Sequence, residues 1–178
     1  MKQLANVSAE GRGATDQLLS AVVARLQTDG VRVGGALRQQ KPSGGASDCN
    51  SNLWLLPDGP NARITQDLGT GSTSCRMDAG ALEKAAATAT ARLIAGEVEL
   101  VVLNKFGVSE TEGRGFRALI AEALSHNVPV LIGVSDAHRA AFEHFAGGMA
   151  TTLTPEENEV LVWCQTAIKP TTTLAEEA

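Results

Sequence analysis

Apolar residues in this chain fall into short unbroken runs and longer helical stripes. Leu100-Val-Val-Leu103 is continuous, as in a strand buried on both faces. Phe116, Leu119, Ile120, Ala123 and Leu124 follow at helical spacing. Val31 to Leu37 and Val130 to Val134 read as further strands, and Leu4 to Val7 as a short first one weakened by Asn6. Leu18, Leu19, Val22, Val23 and Leu26 line one face of a helix that ends near Thr28, where Asp29-Gly30 stops it. Leu82, Ala86, Ala89, Leu93 and Ile94 stripe a second helix from Asp78 to about Ala95. Ser135-Asp136 caps a helix through Phe145. Thr154-Pro-Glu-Glu157 opens the last helix, with Thr as cap, Pro first and Glu third. At least four alternations of strand and helix predict an α/β fold: a three-layer, mostly parallel sheet with helices on both faces.

Between about residues 39 and 74 the pattern breaks down into Gly, Ser, Pro, Asn and Asp. Leu53-Trp-Leu-Leu56 and Ala62-Arg-Ile-Thr65 interrupt it, which fits a hairpin around Pro57-Asp-Gly-Pro60. Such a long irregular stretch in a compact domain is usually functional or mobile. The expectation is one α/β domain over 1–170 with a frayed tail, 171–178. The 178 residues suffice for one sizeable core. The net charge of −5 argues against a nucleic-acid partner. No apolar run reaches about 18 residues, so no membrane span is expected. Met1-Lys-Gln-Leu-Ala-Asn6 lacks a signal-peptide core, and three scattered cysteines suit reduced thiols, so a cytoplasmic setting is expected.

Candidate chemistry gathers in glycine-bearing turns. In open α/β sheets ligands sit beyond the carboxyl ends of the strands, which points to the turn after Leu103. It holds Asn104, Lys105, Gly107, Glu110, Glu112, Gly113 and Arg114. The first turn matches a phosphate-binding loop imperfectly. Ser8 takes the place of its first glycine, Gly13 the second, Ala14 the lysine and Thr15 the hydroxyl. The lysine is missing, although a helix N-terminus still attracts anions, and Arg12 offers a positive charge. The alternative is an ordinary strand–helix connection, with Asp16 merely favouring the helix dipole. Glu10-Gly-Arg-Gly13 recurs as Glu112-Gly-Arg-Gly115, so Arg12 and Arg114 could clamp a shared ligand unless the echo is chance. At the position where nucleotide-hydrolysing folds carry a magnesium-binding acid stand Asn104 and Lys105. Glu110 or Glu112 could replace that acid, or simply suit a helix start. Cys75 and Arg76 form another candidate: Arg76 would lower the thiol pKa, next to the donor-rich Gly69 to Ser74. The alternative for Cys75 is a small buried residue near a helix cap. Neither Cys49 nor Cys75 has a second ligand at zinc spacing, so no metal site is expected. Cys164 reads as core, and His126, His138 and His144 as surface.

Ile64-Thr-Gln-Asp-Leu-Gly, Cys75-Arg-Met-Asp, Asn104-Lys-Phe-Gly, Glu112-Gly-Arg-Gly-Phe-Arg and Val128-Pro-Val-Leu-Ile, with Trp163, resemble the bacterial DUF2478 family. The resemblance covers nearly the whole chain. It implies a P-loop nucleoside-triphosphatase-like fold, here with a degenerate phosphate loop, and a link to molybdenum metabolism. Three functions follow as expectations. The first is a cytoplasmic oxyanion-binding protein for molybdate, tungstate or a nucleotide phosphate, serving molybdenum homeostasis. The second is a Mg-dependent nucleoside triphosphatase with a rearranged site, Lys105 replacing the lost lysine. The third is a non-catalytic interaction subunit. The expected partner is a small anionic ligand, with a homo-oligomer or a molybdenum-pathway protein left open.

Overall fold

A computed structural model describes residues 2–39, 52–66 and 76–168. In chain order these residues form β1 (Leu4–Val7), α1 (Ala14–Thr28), β2 (Val33–Arg38), β3 (Asn52–Leu56), β4 (Asn61–Arg63), β5 (Thr65–Gln66) and β6 (Arg76–Met77). There follow α2 (Ala79–Ile94), β7 (Leu100–Leu103), α3 (Val108–Thr111), α4 (Arg117–Ser125) and β8 (Val130–Gly133). A 3₁₀ turn (Asp136–His138), α5 (Arg139–Ala146), β9 (Ala150–Leu153) and α6 (Glu157–Ala167) complete the order. Cys49, Cys75, the Gly69 to Ser74 run and the tail 171–178 lie outside the described residues.

The main sheet has the strand order β4-β3-β2-β7-β8-β1-β9. Its five strands from β2 to β9 are mutually parallel, and β3 and β4 add an antiparallel hairpin at one edge. That hairpin turns at Pro57 to Pro60, as the turn residues predict. Successive strand residues face opposite ways, so the continuous apolar runs feed two cores at once. Val101 and Leu103 join Leu82, Ala89, Leu119, Ile120 and Phe142, on the side of α2, α4 and α5. Leu100 and Val102 join Leu19, Val22, Leu26, Val160 and Cys164, on the side of α1 and α6. All four residues of β7 are buried in the middle of the sheet. The architecture is therefore the three-layer α/β sheet that the pattern predicts.

Two expectations are corrected here. The last helix begins at Glu157, with Glu156 as its N-cap, rather than beside Thr154: β9 runs to Leu153, and Thr154 to Glu156 form a turn in which the Glu156 N–H donates to the Thr154 carbonyl at 2.8 Å. The sequence pattern gives no warning of β9, whose Ala-Thr-Thr-Leu is half polar. That strand explains why Asn6 is tolerated inside β1. Asn6 is buried, and the Thr152 hydroxyl donates to its Oδ1 at 3.1 Å, so its polar group is satisfied. Ser135-Asp136 opens a 3₁₀ turn first, and the α-helix proper starts at Arg139.

Candidate oxyanion site at the carboxyl edge of the sheet

The order of the strands creates a crevice. From β1 the chain passes to β2 through α1, on one face. From β8 it passes to β9 through α5, on the other face. β1 and β8 are neighbours whose connections leave in opposite directions, which is where an open parallel sheet leaves room for a ligand. A cavity of about 610 Å³ lies there. Its walls are the turn from Ser8 to Gly11 with Gly13, Thr15 and Asp16, then Asn104 and Lys105 beyond β7, and Gly133 to Asp136 with Arg139 beyond β8.

The first turn has the conformation that its glycines dictate. Gly13 is the N-cap of α1 with φ of 74°, in the left-handed region where a side chain is strained. The Thr15 hydroxyl accepts from the Ala9 N–H at 2.9 Å and donates to the Ala9 carbonyl at 3.4 Å. Thr15 thus fastens the turn onto the helix it precedes. Of the first N–H groups of α1, that of Ala14 donates to the Gly11 carbonyl at 3.2 Å, while those of Thr15 and Asp16, both wall residues, have no intrahelical acceptor. Ala14, at the place of the phosphate-loop lysine, brings no charge.

Asn104 is nine-tenths buried, at 7 % exposure, yet borders the cavity. Its backbone N–H donates to the Ala36 carbonyl at 3.1 Å, while its side-chain amide has no hydrogen-bond partner among the described residues. Among the described residues the sealed side-chain polar atom without a partner is Gln3 Oε1, so the Asn104 amide opens to the cavity rather than being orphaned. Lys105 is exposed and lines the same cavity. Gly133 lets this strand end come close: a Cβ there would stand 2.2 Å from the Asn104 carbonyl oxygen and 3.0 Å from Thr15 Cγ2.

Asp16 is half-buried in the same wall. Burial pushes its carboxyl above the usual carboxylate range, while the charges of Arg38 and Lys105 pull it back. Beyond β8, Arg139 donates to Asp136 at 2.8 Å. The walls therefore carry Glu10, Asp16 and Asp136 against Lys105 and Arg139, and the Asp136–Arg139 pair satisfies itself.

The second Gly-Arg-Gly turn does something else. Arg114 forms an exposed ion pair with Glu112 and is not among the cavity walls. Arg12 is exposed and is not a wall residue either. The expected two-sided clamp fails for a topological reason: β8 separates β1 from β7, and α3 displaces the second turn from its strand. Glu110 points inward. Its carboxylate accepts from the Gly107 N–H at 3.0 Å and from the Phe116 N–H at 3.3 Å, at 4 % exposure. The Glu83 carboxylate accepts from the Gly115 N–H at 2.6 Å. These carboxylates shape the loop around Gly107 and Gly113 from within. Of the candidates read from the sequence, the cavity gathers Gly13, Thr15, Asn104 and Lys105. Gly107 and Glu110 border instead a small cavity of about 30 Å³, where they meet Asn104 and Lys105 from the other side. Cys75 lies outside the described residues, and Arg76 is placed only as part of β6.

Several wall residues escape a reading of the sequence. Asp16 looks like a helix-dipole residue, and Ser135, Asp136 and Arg139 look like a helix start. The missing signal is strand order. Only when β8 is known to neighbour β1 do its following residues become part of the first turn's surroundings.

Comparison with known proteins agrees with this geometry. The solution structure of a human cancer-related nucleoside triphosphatase matches with a TM-score of 0.61 over 96 % of this chain and 99 % of its own, at 18 % identity. That match shows that the two chains share a fold. A protein of Bradyrhizobium diazoefficiens, Molybdenum import ATP-binding protein ModC 2, is 34 % identical over 148 residues. The match takes in 83 % of this chain but spans only 16 % of that relative's length. The family model described as "Protein of unknown function (DUF2478)" matches residues 4–163. The chain belongs to the DUF2478 family.

Proposed function

We propose that this chain is a cytoplasmic oxyanion-binding protein that takes molybdate, tungstate or the phosphate group of a nucleotide and serves molybdenum homeostasis. The observation that carries the reading is the cavity wall itself, where the Asn104 amide, hydrogen-bonded to no described side chain or backbone, opens beside Lys105 and the N-terminal turn of α1. Each of these donors suits an anion's oxygens, through the helix N-terminus or through charge-assisted hydrogen bonds. The molybdenum context rests on the resemblance to ModC 2 of B. diazoefficiens, whose whole length is far greater than the matched part. Isothermal titration with molybdate, tungstate, sulfate, inorganic phosphate and ATP tests the reading. At least one of them should bind the wild type. Lys105→Ala should weaken that binding about tenfold, the loss of one charge-assisted bond, and leave the melt unchanged. An unaltered affinity in the variant would sink the assignment of Lys105.

A second reading, the Mg-dependent nucleoside triphosphatase, draws on the cavity's size. About 610 Å³ is within the range of pockets that enclose whole organic ligands. Mg²⁺ is usually held by one or two carboxylates together with substrate phosphates, and Asp16 is the wall carboxylate that fits this role. Phosphate release from ATP in the presence of Mg²⁺, lost in Asp16→Asn, would support it.

A further inference from the structure

We propose that Met77 and Val108 form an apolar ledge beside Lys105 that takes the nucleobase of a ligand whose phosphate sits in the oxyanion cavity, so that a nucleoside phosphate gains a hold that a bare oxyanion lacks. The inference rests on the oxyanion reading and names the substrate class within it.

Five large apolar side chains are exposed among the described residues: Met77, Ile94, Val108, Met149 and Val162. Ile94 closes α2, Val162 lies on α6 and Met149 precedes β9. Met77 and Val108, by contrast, line one cavity together, the small one of about 30 Å³. Val108 is 59 % exposed and Met77 38 %, while Leu53, Ile64, Leu82 and Phe116 close the same cavity from within as buried residues. The Ser109 hydroxyl donates to the Met77 sulfur at 3.4 Å, which ties the thioether to the start of α3. Adjoining exposed apolar groups beside a polar cavity are a feature of ligand sites. A polarizable thioether next to an aliphatic branch suits the face or edge of a flat ring.

What belongs on the ledge follows from what adjoins it. Asn104 and Lys105 line both cavities. The stem of Lys105 lies over Gly107: a Cβ built there would stand 3.6 Å from Lys105 Cε and 3.9 Å from Cδ. Its charge meanwhile acts on Asp16, in the wall of the oxyanion cavity. Lys105 thus straddles the boundary, with methylenes toward the ledge and charge toward the anion. A free oxyanion fills the polar side alone. An occupant of the ledge is apolar and attached to a group held at Lys105. The well behind the ledge is too small to admit an alkyl chain, so the contact is with a surface, and a flat base covers a surface well. Glu110 in that wall already accepts from the Gly107 and Phe116 N–H groups. The ledge therefore contributes covered area rather than new hydrogen bonds.

Titration calorimetry at pH 7 with inorganic phosphate, ribose 5-phosphate, AMP and molybdate tests the proposal. AMP and ribose 5-phosphate share phosphate and sugar and differ in the base. Covering about 60 Å² of apolar surface is equivalent to roughly a tenfold gain in affinity, so AMP should bind the wild type about tenfold more tightly than ribose 5-phosphate. The double variant Met77→Gln, Val108→Ser should bring AMP down to the level of ribose 5-phosphate and leave ribose 5-phosphate and molybdate unchanged. Both side chains are exposed, and a thermal melt establishes that the variant folds; the wild-type ratio stands as a test without it. Equal binding of AMP and ribose 5-phosphate by the wild type, or an unchanged ratio in the variant, overturns the ledge and leaves the oxyanion site intact. So does binding of molybdate with no binding of any phosphate. Binding of none of the four overturns both.

Discussion

Replacing Glu110 with alanine separates two roles that its position in the sequence confuses. On the page of residues it is one of several acids near a glycine turn, suited to ligand or metal. In the fold it is an internal brace. Its two oxygens receive the N–H groups of Gly107 and Phe116, both buried residues. It also dictates Gly115: there φ is +62°, and a Cβ would stand 2.7 Å from Glu110 Oε1. Alanine leaves two buried N–H groups without an acceptor. Each orphaned group costs about 1–3 kcal/mol, so the variant should lose roughly 2–5 kcal/mol. For a chain of 178 residues this lowers the melting temperature by roughly 5–15 °C. The small cavity beside Glu110 admits little water, which argues against the lowest part of the range. Glutamine keeps one acceptor oxygen and turns a donor toward the other N–H, so its loss should fall between wild type and alanine. Urea denaturation followed by circular dichroism gives the free energies, provided the slope stays constant. The reasoning is refuted if Glu110→Ala unfolds at the wild-type urea concentration while its phosphate binding disappears. Such a result would make Glu110 a ligand group after all.

Three shorter predictions follow. Gly133→Ala should destabilise the fold by on the order of 2 kcal/mol or more and weaken anion binding, because its Cβ would force the Asn104 carbonyl and Thr15 apart; a calorimetric titration and a melt on the same sample check both. Burial pushes the Cys164 thiol up from 9.0 to about 12, so the native protein should resist thiol reagents at pH 8–9 and react on unfolding. The same group contributes stability that is fully present below pH 9.0 and is lost as pH rises toward about 12, which Cys164→Ala should blunt in alkaline melts. Asp16, also raised, contributes stability that is present below 3.8 and lost as pH rises past it; Asp16→Asn should therefore melt higher than wild type at pH 7, the gain shrinking toward acid.

What the sequence discloses, and what it withholds, divides along a physical line. Local features were legible. The unbroken Leu100 to Leu103 run announces a strand covered on both sides, and the stripes of α1 and α2 announce their inner faces. Asp78 declares itself as a cap, and its Oδ1 accepts from the Ala81 N–H at 3.0 Å. Gly13, Thr15, Asn104 and Lys105 were legible as candidates because they stand where strands give way to helices. Relations between distant elements were not. β9 lacks a hydrophobic signature, being a half-buried edge strand. Its absence from the pattern makes Asn6 look like a defect. Arg114 appears to mirror Arg12 in sequence, yet strand order sends the two turns to different surroundings. Glu110 and Glu112 have the same charge and nearly the same position, and only packing tells one as buried from the other as exposed.

The bond between Thr15 and Ala9 has a kinetic meaning. The hydroxyl that a P-loop would offer to its ligand is already spent on the turn's own backbone, at 2.9 and 3.4 Å. A ligand that needs that oxygen must wait for the turn to let go, and its apparent affinity is reduced by the fraction of time the hydroxyl is released. Its association would then saturate with concentration at the release rate. A ligand that uses only the amide groups, Asn104 and Lys105 would associate in proportion to its concentration. Stopped-flow traces would thus reveal whether Thr15 takes part in holding the ligand or only holds the turn.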